Sequence, residues 1–217
     1  AGTPAGGLWI SKDRGASWTS NTDTLPTLGV SAIAIDPFDP DTIYLGTGDR
    51  DAGDSFGLGI LRSTDGGQTW HDAKTGMGDR IVGRLIADPN NKGVLIAATN
   101  AGIYRTTNHG NTWTRIITGN FKEITFNPIN SNVVYAATYG TAKYYRSTNN
   151  GVNFTQVTTG LPTGKRRMVI GVTAHDSNFV YVLVTNSRTY QGIYLSTDKG
   201  ATFTQMSNKP NIMDYST

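Results

Sequence analysis

The chain has 217 residues, 37% of them hydrophobic and 10% aromatic, with 19 Lys and Arg against 16 Asp and Glu. That composition suits a folded globular chain rather than a disordered one, and a net charge of +3 with both signs interspersed makes no case for nucleic acid. Cysteine is absent, which removes disulfide scaffolds, thiol nucleophiles and zinc–thiolate sites, and the longest apolar runs, such as residues 180–184, are far shorter than the roughly 20 residues of a membrane helix.

In chain order the sequence reads as one unit repeated. The chain opens on Ala1 with no basic-then-apolar leader, so any export signal is expected to lie outside it or to have been removed. A short strand at 7–11 runs into Ser11-Lys-Asp13-Arg-Gly15-Ala-Ser-Trp18. A strand at 30–36 closed by Asp36-Pro37, a second at 42–46 and a third at 59–62 then lead into Ser63-Thr-Asp65-Gly-Gly67-Gln-Thr-Trp70. The same order follows three more times. Strands at 82–87, 93–98 and 102–105 precede Thr106-Thr-Asn108-His-Gly110-Asn-Thr-Trp113, and strands at 121–126, 132–137 and 143–146 precede Ser147-Thr-Asn149-Asn-Gly151-Val-Asn-Phe154. The last copy has strands at 168–173, 179–184 and 192–195 before Ser196-Thr-Asp198-Lys-Gly200-Ala-Thr-Phe203, and it has lost the proline after its first strand. In every copy a fourth strand is expected after the aromatic residue.

From aromatic to aromatic the steps are 52, 43, 41 and 49 residues, the spacing of propeller blades rather than of helical solenoids. Twenty-six glycines and eight prolines at regular intervals agree with many short strands joined by turns. The prediction is an all-β fold, a β-propeller of four-stranded antiparallel blades with about four and a half blades present. The half blade spans 7–22, full blades span about 30–75, 82–118, 121–160 and 168–207, and 208–217 begins a further connection. The chain reads as a single partial propeller over 1–217 and as part of a larger ring of six to eight blades or more, with a distorted five-blade ring as the competitor. Within each boxed turn the Asp or Asn and the Ser or Thr bond the turn, the Gly supplies positive φ, and the aromatic fills the gap between sheets.

Propeller loops alternate between two faces. The boxed turns and the Asp-Pro turns share one; the second-to-third loops and the links between blades share the other, where ligands meet propellers. That second face collects Asp49, Asp51 and Asp54, then Tyr139 and Lys143, then Arg188 and Tyr190, with Asp79, Arg80, Lys165, Arg166 and Arg167 from links between blades. The candidate ligand-binding residues are Asp49, Asp51, Asp54, Tyr139, Arg166, Arg167, Arg188 and Tyr190. Three carboxylates within six residues, in Gly48-Asp49-Arg-Asp51-Ala-Gly53-Asp54, read as a ligand-facing or catalytic loop, as a solvated acidic turn, or as a calcium loop lacking the helix-flanked motif. Calcium apart, no cofactor or metal is expected. Arg166 and Arg167 have the fork geometry for a carboxylate or phosphate, against a solvated basic loop as the alternative. Tyr139, Tyr190 and Tyr215 are candidate sugar-stacking residues, whereas Tyr144 and Tyr145 read as packing between blades. His71, His109 and His175 fall on the structural face.

The five boxes are identified as the Asp-box, or bacterial neuraminidase repeat, and the resemblance covers nearly the whole chain. Sialidases, xyloglucan-cleaving hydrolases and sortilin-type receptors carry such boxes, so the resemblance implies the fold and leaves activity open. No Phe/Tyr-Arg-Ile-Pro segment and no tyrosine–glutamate pair is found, a departure from the sialidases. If the chain is similar to the xyloglucan hydrolases in activity, Asp49 or a neighbour becomes the candidate acid or base, opposite a second carboxylate about 6.5–9.5 Å away in an inverting mechanism. The segment Ile43-Tyr-Leu-Gly-Thr-Gly-Asp-Arg-Asp-Ala-Gly-Asp-Ser-Phe-Gly57, with Lys209-Pro-Asn-Ile-Met213, resembles large secreted proteins of the Bacteroidetes exported by the type IX secretion system. That resemblance implies an extracellular or cell-surface location and the secretion machinery as a partner. The leading expectation is a surface propeller binding a glycan or protein ligand through its loop face; a glycoside hydrolase and a passive scaffold are the alternatives.

Overall fold

A computed structural model describes residues 1–51, 53–186 and 189–209. Every regular element among them is a strand, and no described helix is long and apolar enough to cross a membrane. The chain divides into two compact units, residues 1–118 and 119–217. The first holds a two-stranded sheet, β1 (Trp9–Ile10) and β2 (Thr19–Ser20), and two four-stranded sheets. These are β3 (Val30–Asp36), β4 (Asp39–Thr47), β5 (Ile60–Ser63) and β6 (His71–Asp72), then β7 (Val82–Ala87), β8 (Leu95–Thr99), β9 (Gly102–Thr106) and β10 (Thr114–Thr118). The second unit holds β11 (Phe121–Phe126), β12 (Val134–Thr138), β13 (Tyr144–Ser147) and β14 (Thr155–Val157), then β15 (Arg167–Val172), β16 (Val180–Asn186), β17 (Thr189–Ser196) and β18 (Thr204–Ser207). Each sheet is an antiparallel meander in sequence order, the blade of a partial β-propeller. The expected connection at 208–217 lies, after Lys209, outside the described residues.

The second strand of a sheet is flanked by the first and third and covered on both faces, so it has no polar side to show. Accordingly β8 and β12 are buried at every position and read as unbroken apolar and small residues ending in threonine. In the first unit Ala32, Ala34, Tyr44, Leu85, Leu95 and Trp113 belong to one core. Neighbouring sheets approach closely where residues are small: a Cβ on Gly46 would meet Val82 at 2.6 Å and Ala32 at 2.9 Å. In the second unit Tyr135, Tyr144, Met168, Val182, Val184 and Phe203 form the core. Each such fully buried aliphatic or aromatic side chain contributes about 1.5–3 kcal/mol.

The boxed turns are built as one template. In the second box the Ser63 hydroxyl donates to Asp65 Oδ1 at 2.7 Å and accepts the Gly67 N–H at 2.9 Å. Asp65 Oδ1 accepts the N–H groups of Gln68 and Thr69, and Oδ2 accepts the Thr69 hydroxyl at 2.6 Å. Ser11, Asp13 and Ser17 repeat this, as do Ser196, Asp198 and Thr202. The hydroxyl at the seventh box position is therefore a working part, although the sequence pattern left that position open. Where the third box has Asn108 in place of Asp, the amide nitrogen donates to the Thr112 hydroxyl and the oxygen still accepts the Thr112 N–H. The turn also needs two consecutive left-handed residues rather than glycine alone. Arg14, Gly66, His109, Asn150 and Lys199 all have φ between 58° and 69°, directly before the box glycine.

The box aromatics follow a narrower rule than expected. Trp113 and Phe203 are 4% and 5% exposed, but Trp70 and Phe154 are half-buried and Trp18 is 48% exposed. Within a unit, a box aromatic packs on the sheet before it in sequence, as Trp70, Trp113 and Phe203 do. Trp113 donates its indole N–H to Ala73 O at 2.7 Å and its backbone N–H to Thr75 O, and Phe203 N–H reaches Thr159 O. The first box has no earlier sheet within this sequence, and Trp18 turns outward. For Trp113 and Phe203 the residue that receives the aromatic is a glycine six positions after the previous box aromatic, where side chains have no room. A Cβ at Gly76 would lie 2.2 Å from Trp113 O, and one at Gly160 would lie 1.6 Å from Phe203 O.

Gly160→Ala, which also meets a φ of +77°, is expected to cost about 2–4 kcal/mol through strain and overlap, whereas Gly164→Ala, at φ +69° with open space around it, should cost about 1 kcal/mol. Urea midpoints at unchanged m-value test the pair. The box carboxylates set an acid limit. Hydrogen bonds from Ser17 and Ser11 hold Asp13 down to about 2; for Asp198 burial pushes upward, but the bonds from Ser196 and Thr202 outweigh it and leave this carboxyl also at about 2. A depressed folded pKa contributes stability in full above the unfolded value of about 3.9 and loses it as pH falls through the folded value. Asp198→Asn should retain the fold, since Asn108 and Asn149 occupy the same box position, and its urea midpoint should converge on that of the wild type between about pH 4 and about pH 2.

Candidate functional site

Within each unit the two ends of the sheets differ in what they carry. At one end the boxed turns meet the Asp-Pro turns: His109 Nδ1 lies 3.3 Å from Asp36 Oδ2, and in the second unit Asn127 Nδ2 donates to Ser177 O while Lys199 N–H donates to Asn178 O. These residues bond one another and leave this end occupied by fold chemistry. His109 belongs to that network, and His71 and His175 are exposed in the fourth strand and the turn of their sheets.

The opposite end is where loops are held open. A buried threonine closes the second strand of three sheets there: the Thr47 hydroxyl donates to Gly59 O at 2.8 Å and accepts Leu58 N–H, Thr99 bonds Gly102 in both directions, and the Thr138 hydroxyl accepts Lys143 N–H. The residue after the threonine then ties to the link before the first strand, Gly48 N to Gly29 O, Asn100 N to Ile81 O and Tyr139 N to Asn120 O. Loop length between these clamps is free to vary. It is shortest after Thr99 and longest after Thr47.

The long loop after Thr47 lines an open cavity of about 490 Å³ with Gly2, Pro4, Val30 and Ser31. Its three carboxylates are used differently. Asp49 is only 7% exposed, and its two oxygens accept the N–H groups of Asp51 at 2.9 Å and Asp54 at 3.3 Å, so it shapes the loop from within. Arg50 ion-pairs with the exposed Asp51 at 3.2 Å and bonds Gly83 O. Asp54 is exposed on the cavity, with no side-chain bond among the described residues. Ser55 anchors the loop's far side on Pro4 O. Phe56, two residues beyond Asp54, is 62% exposed; the repeat pattern does not mark it, although as an aromatic interrupting a polar, glycine-rich run it carries its own signal. Among the described residues no three His, Asp or Glu side chains converge as a metal site requires.

In the unit of residues 119–217 the structure brings together Tyr139, Arg166 and Arg167, and adds two residues absent from the sequence-based set. Lys122 Nζ sits 3.6 Å from the Tyr139 ring centroid, and Arg167 Nη2 lies 3.9 Å from the buried Glu123. Both Lys122 and Glu123 lie on β11, a strand whose apolar positions are Phe121, Ile124 and Phe126; the Lys-Glu pair in the first half of that strand was the available signal. Tyr190 departs from its expected place in a loop. It lies on β17, buried, with its hydroxyl donating to Ser207 O at 3.0 Å, because β16 and β17 pair as far as Asn186 and Thr189. Arg188 and Tyr215 lie outside the described residues. Tyr144 is core and Tyr145 stacks edge-on against Phe121. Lys143 is exposed, Asp79 bonds Lys74 at 2.8 Å, and Arg80 donates to Asp79 O.

Comparison with known proteins finds likeness to xyloglucanases and to the sortilin family. A xyloglucanase from Paenibacillus sp is 30% identical over 97% of this chain, and a xyloglucanase from Acetivibrio thermocellus is 39% identical over 41% of it. The chain spans 20% and 12% of those relatives' lengths. Among solved structures, the GH74 enzyme of Niastella koreensis matches 97% of this chain and 35% of its own with a TM-score of 0.66 at 26% identity. The GH74 xyloglucanase of Xanthomonas campestris, at 21% identity and a TM-score of 0.66 over 96% of this chain and 35% of its own, shows the shared fold. The BNR/Asp-box repeat is matched at residues 61–72, the second box, and the Sortilin-Vps10 family (sortilin, neurotensin receptor 3) over residues 101–217. With more than half its length so matched, and Asp-box turns throughout, the chain belongs to the Sortilin-Vps10 family of Asp-box propellers.

Proposed function

We propose that this chain is part of an extracellular glycoside hydrolase of xyloglucanase type, with the loop at residues 48–56 facing the glycan. The observation that carries the reading is the likeness to a xyloglucanase along 97% of the chain, joined to an open cavity edged by exposed carboxylates. Glycosidic bond cleavage needs two carboxyl groups flanking the bond, one to protonate the leaving oxygen and one to activate water or attack the sugar. Asp54, exposed and unengaged by the loop, is the candidate for one of these two groups. Asp51, ion-paired with Arg50, remains the anionic neighbour. Asp49 is a positioning residue, since both its oxygens are spent on the loop backbone. Phe56 offers a flat apolar face of the kind on which sugar rings stack.

A polymeric wall glucan is met outside the cell, so the extracellular location follows from the substrate. Export as type IX cargo rests on the sequence resemblance. Binding without cleavage is the second reading, and Asp49 favours it: a loop locked by its own acid makes a ready-formed recognition surface.

The test is release of reducing ends from xyloglucan and from unsubstituted β-glucan by the purified protein. Asp54→Asn should lower turnover by at least about 10²-fold, the scale of general acid–base catalysis. Phe56→Ala should raise KM about tenfold with turnover little changed. Turnover unaltered in Asp54→Asn removes this loop from the chemistry; binding of xyloglucan oligosaccharides with no cleavage by the wild type replaces the hydrolase with the binding reading.

A further inference from the structure

Residues 119–217 contain nine Lys and Arg against four Asp and Glu, a formal charge of +5, whereas residues 1–118 contain ten against twelve, a charge of −2. In the second unit this surplus is concentrated around one tyrosine. Lys122, 7% exposed, holds its ammonium against the Tyr139 ring, and the Arg166 guanidinium carbon lies 5.6 Å from the same centroid with Nη2 donating to the phenol oxygen at 3.4 Å. Arg167 is beside them, its backbone bridged to Tyr139, and Gly140 N–H donates to Arg166 O at 2.8 Å. The backbone on both sides of the cluster is thus fixed. Glu123 is the one carboxylate of the cluster, buried and turned to Arg167. Asp176 and Asp198, the other described acids of this unit, lie in the turns at the opposite end of the sheets.

Arg166 is exposed and has no carboxylate partner among the described residues. Four of its five N–H donors are left for a ligand, in a fork suited to two oxygens of one carboxylate. Burying Lys122 beneath the ring fixes a positive charge that adds to the attraction without needing to touch the ligand. Hydrogen bonding from Arg166, with Lys122 and Arg167 nearby, already draws the Tyr139 phenol below its ordinary range, a sign that this spot favours negative charge.

We propose that Arg166 and the Tyr139 hydroxyl, backed by Lys122, form a subsite for the carboxylate of a uronic acid unit in a glycan. The identity of the anion as a sugar acid rests on the glycan-acting reading above; the subsite itself rests on the cluster. Neutral glucans carry no such group, so the subsite would add acidic side units or acidic polymers to the glycans recognised.

Isothermal calorimetry of the purified protein with trigalacturonate, with a neutral xyloglucan oligosaccharide and with inorganic phosphate tests this. Trigalacturonate binding should weaken at least about tenfold in Arg166→Gln and fall with added salt, while neutral oligosaccharide binding stays unchanged. Arg166→Lys should recover only part of the loss. Ultraviolet titration supplies a readout independent of any sugar: the Tyr139 phenol should ionise at higher pH in Arg166→Gln than in the wild type. Trigalacturonate bound equally by wild type and Arg166→Gln overturns the proposal, and phosphate bound as tightly as trigalacturonate reduces the subsite to a general anion site and overturns the sugar assignment. The two readings fail separately, because Asp54→Asn should lower neutral glucan cleavage at least about 10²-fold with uronate binding intact.

Discussion

The fold depends on a carboxylate or carboxamide that bonds the backbone of its own turn. In each box the acid or amide, with its upstream hydroxyl, fixes a reversal whose two central residues lie in the left-handed region. For Arg14, His109 and Lys199 that conformation costs about 1–2 kcal/mol relative to ordinary backbone, and the hydrogen bonds of the turn must offset it. Once the reversal is set, the aromatic of the third and fifth boxes points toward the preceding sheet, where a Thr-Gly pair accepts its backbone N–H and leaves room for its carbonyl. Trp113 with Thr75-Gly76 and Phe203 with Thr159-Gly160 are the same device used twice. Local turn chemistry and packing between sheets are therefore one construction, and a box whose aromatic has no earlier sheet in the sequence leaves that aromatic exposed.

Because this construction occupies one end of each sheet, the opposite end is free to vary. There the recurring element is only a threonine and a backbone clamp, and what lies between the clamp and the third strand differs in every sheet. Thr99 closes a turn of two residues, whereas Thr47 and Gly59 bracket eleven. In the longer loop Asp49 repeats in miniature what the boxes do, placing both carboxylate oxygens on N–H groups of its own chain. An acid used in this way is engaged by its own loop, whereas Asp51 and Asp54 beside it are exposed.

That distinction marks what the sequence could and could not convey. Box positions and strand order were legible because each box residue answers a local need that recurs with the blade: φ, a capping oxygen, an apolar face. Pairings between distant segments were not, since Gly76 and Gly160 look like any loop glycine until the carbonyl of Trp113 or Phe203 is set against them. Tyr190 was misplaced for a related reason. Its neighbours Asn186 and Thr189 read as a polar loop, but register with β16 extends β17 back to Thr189, and burial of the ring follows. At the acidic loop, spacing offered three carboxylates as equivalent candidates, and only geometry separates the loop-bonded Asp49 from the exposed Asp51 and Asp54. Lys122 and Glu123 were hidden in a strand whose other members carried the expected apolar signal.

The charge of the two units points the same way. A box works with Asp at 13, 65 and 198 and with Asn at 108 and 149, so the fold does not dictate the sign of the charge it carries. The difference between a unit of −2 and one of +5 must then come from residues the turns do not need. Asp51 and Asp54 on one side, and Lys122, Lys165 and Arg166 on the other, are such residues, and all of them lie at or beside the variable end of their sheets. Long-range attraction of a charged ligand scales with this surplus and weakens with salt. The repeated parts of the scaffold are thus indifferent to charge, and it is the loops that segregate it.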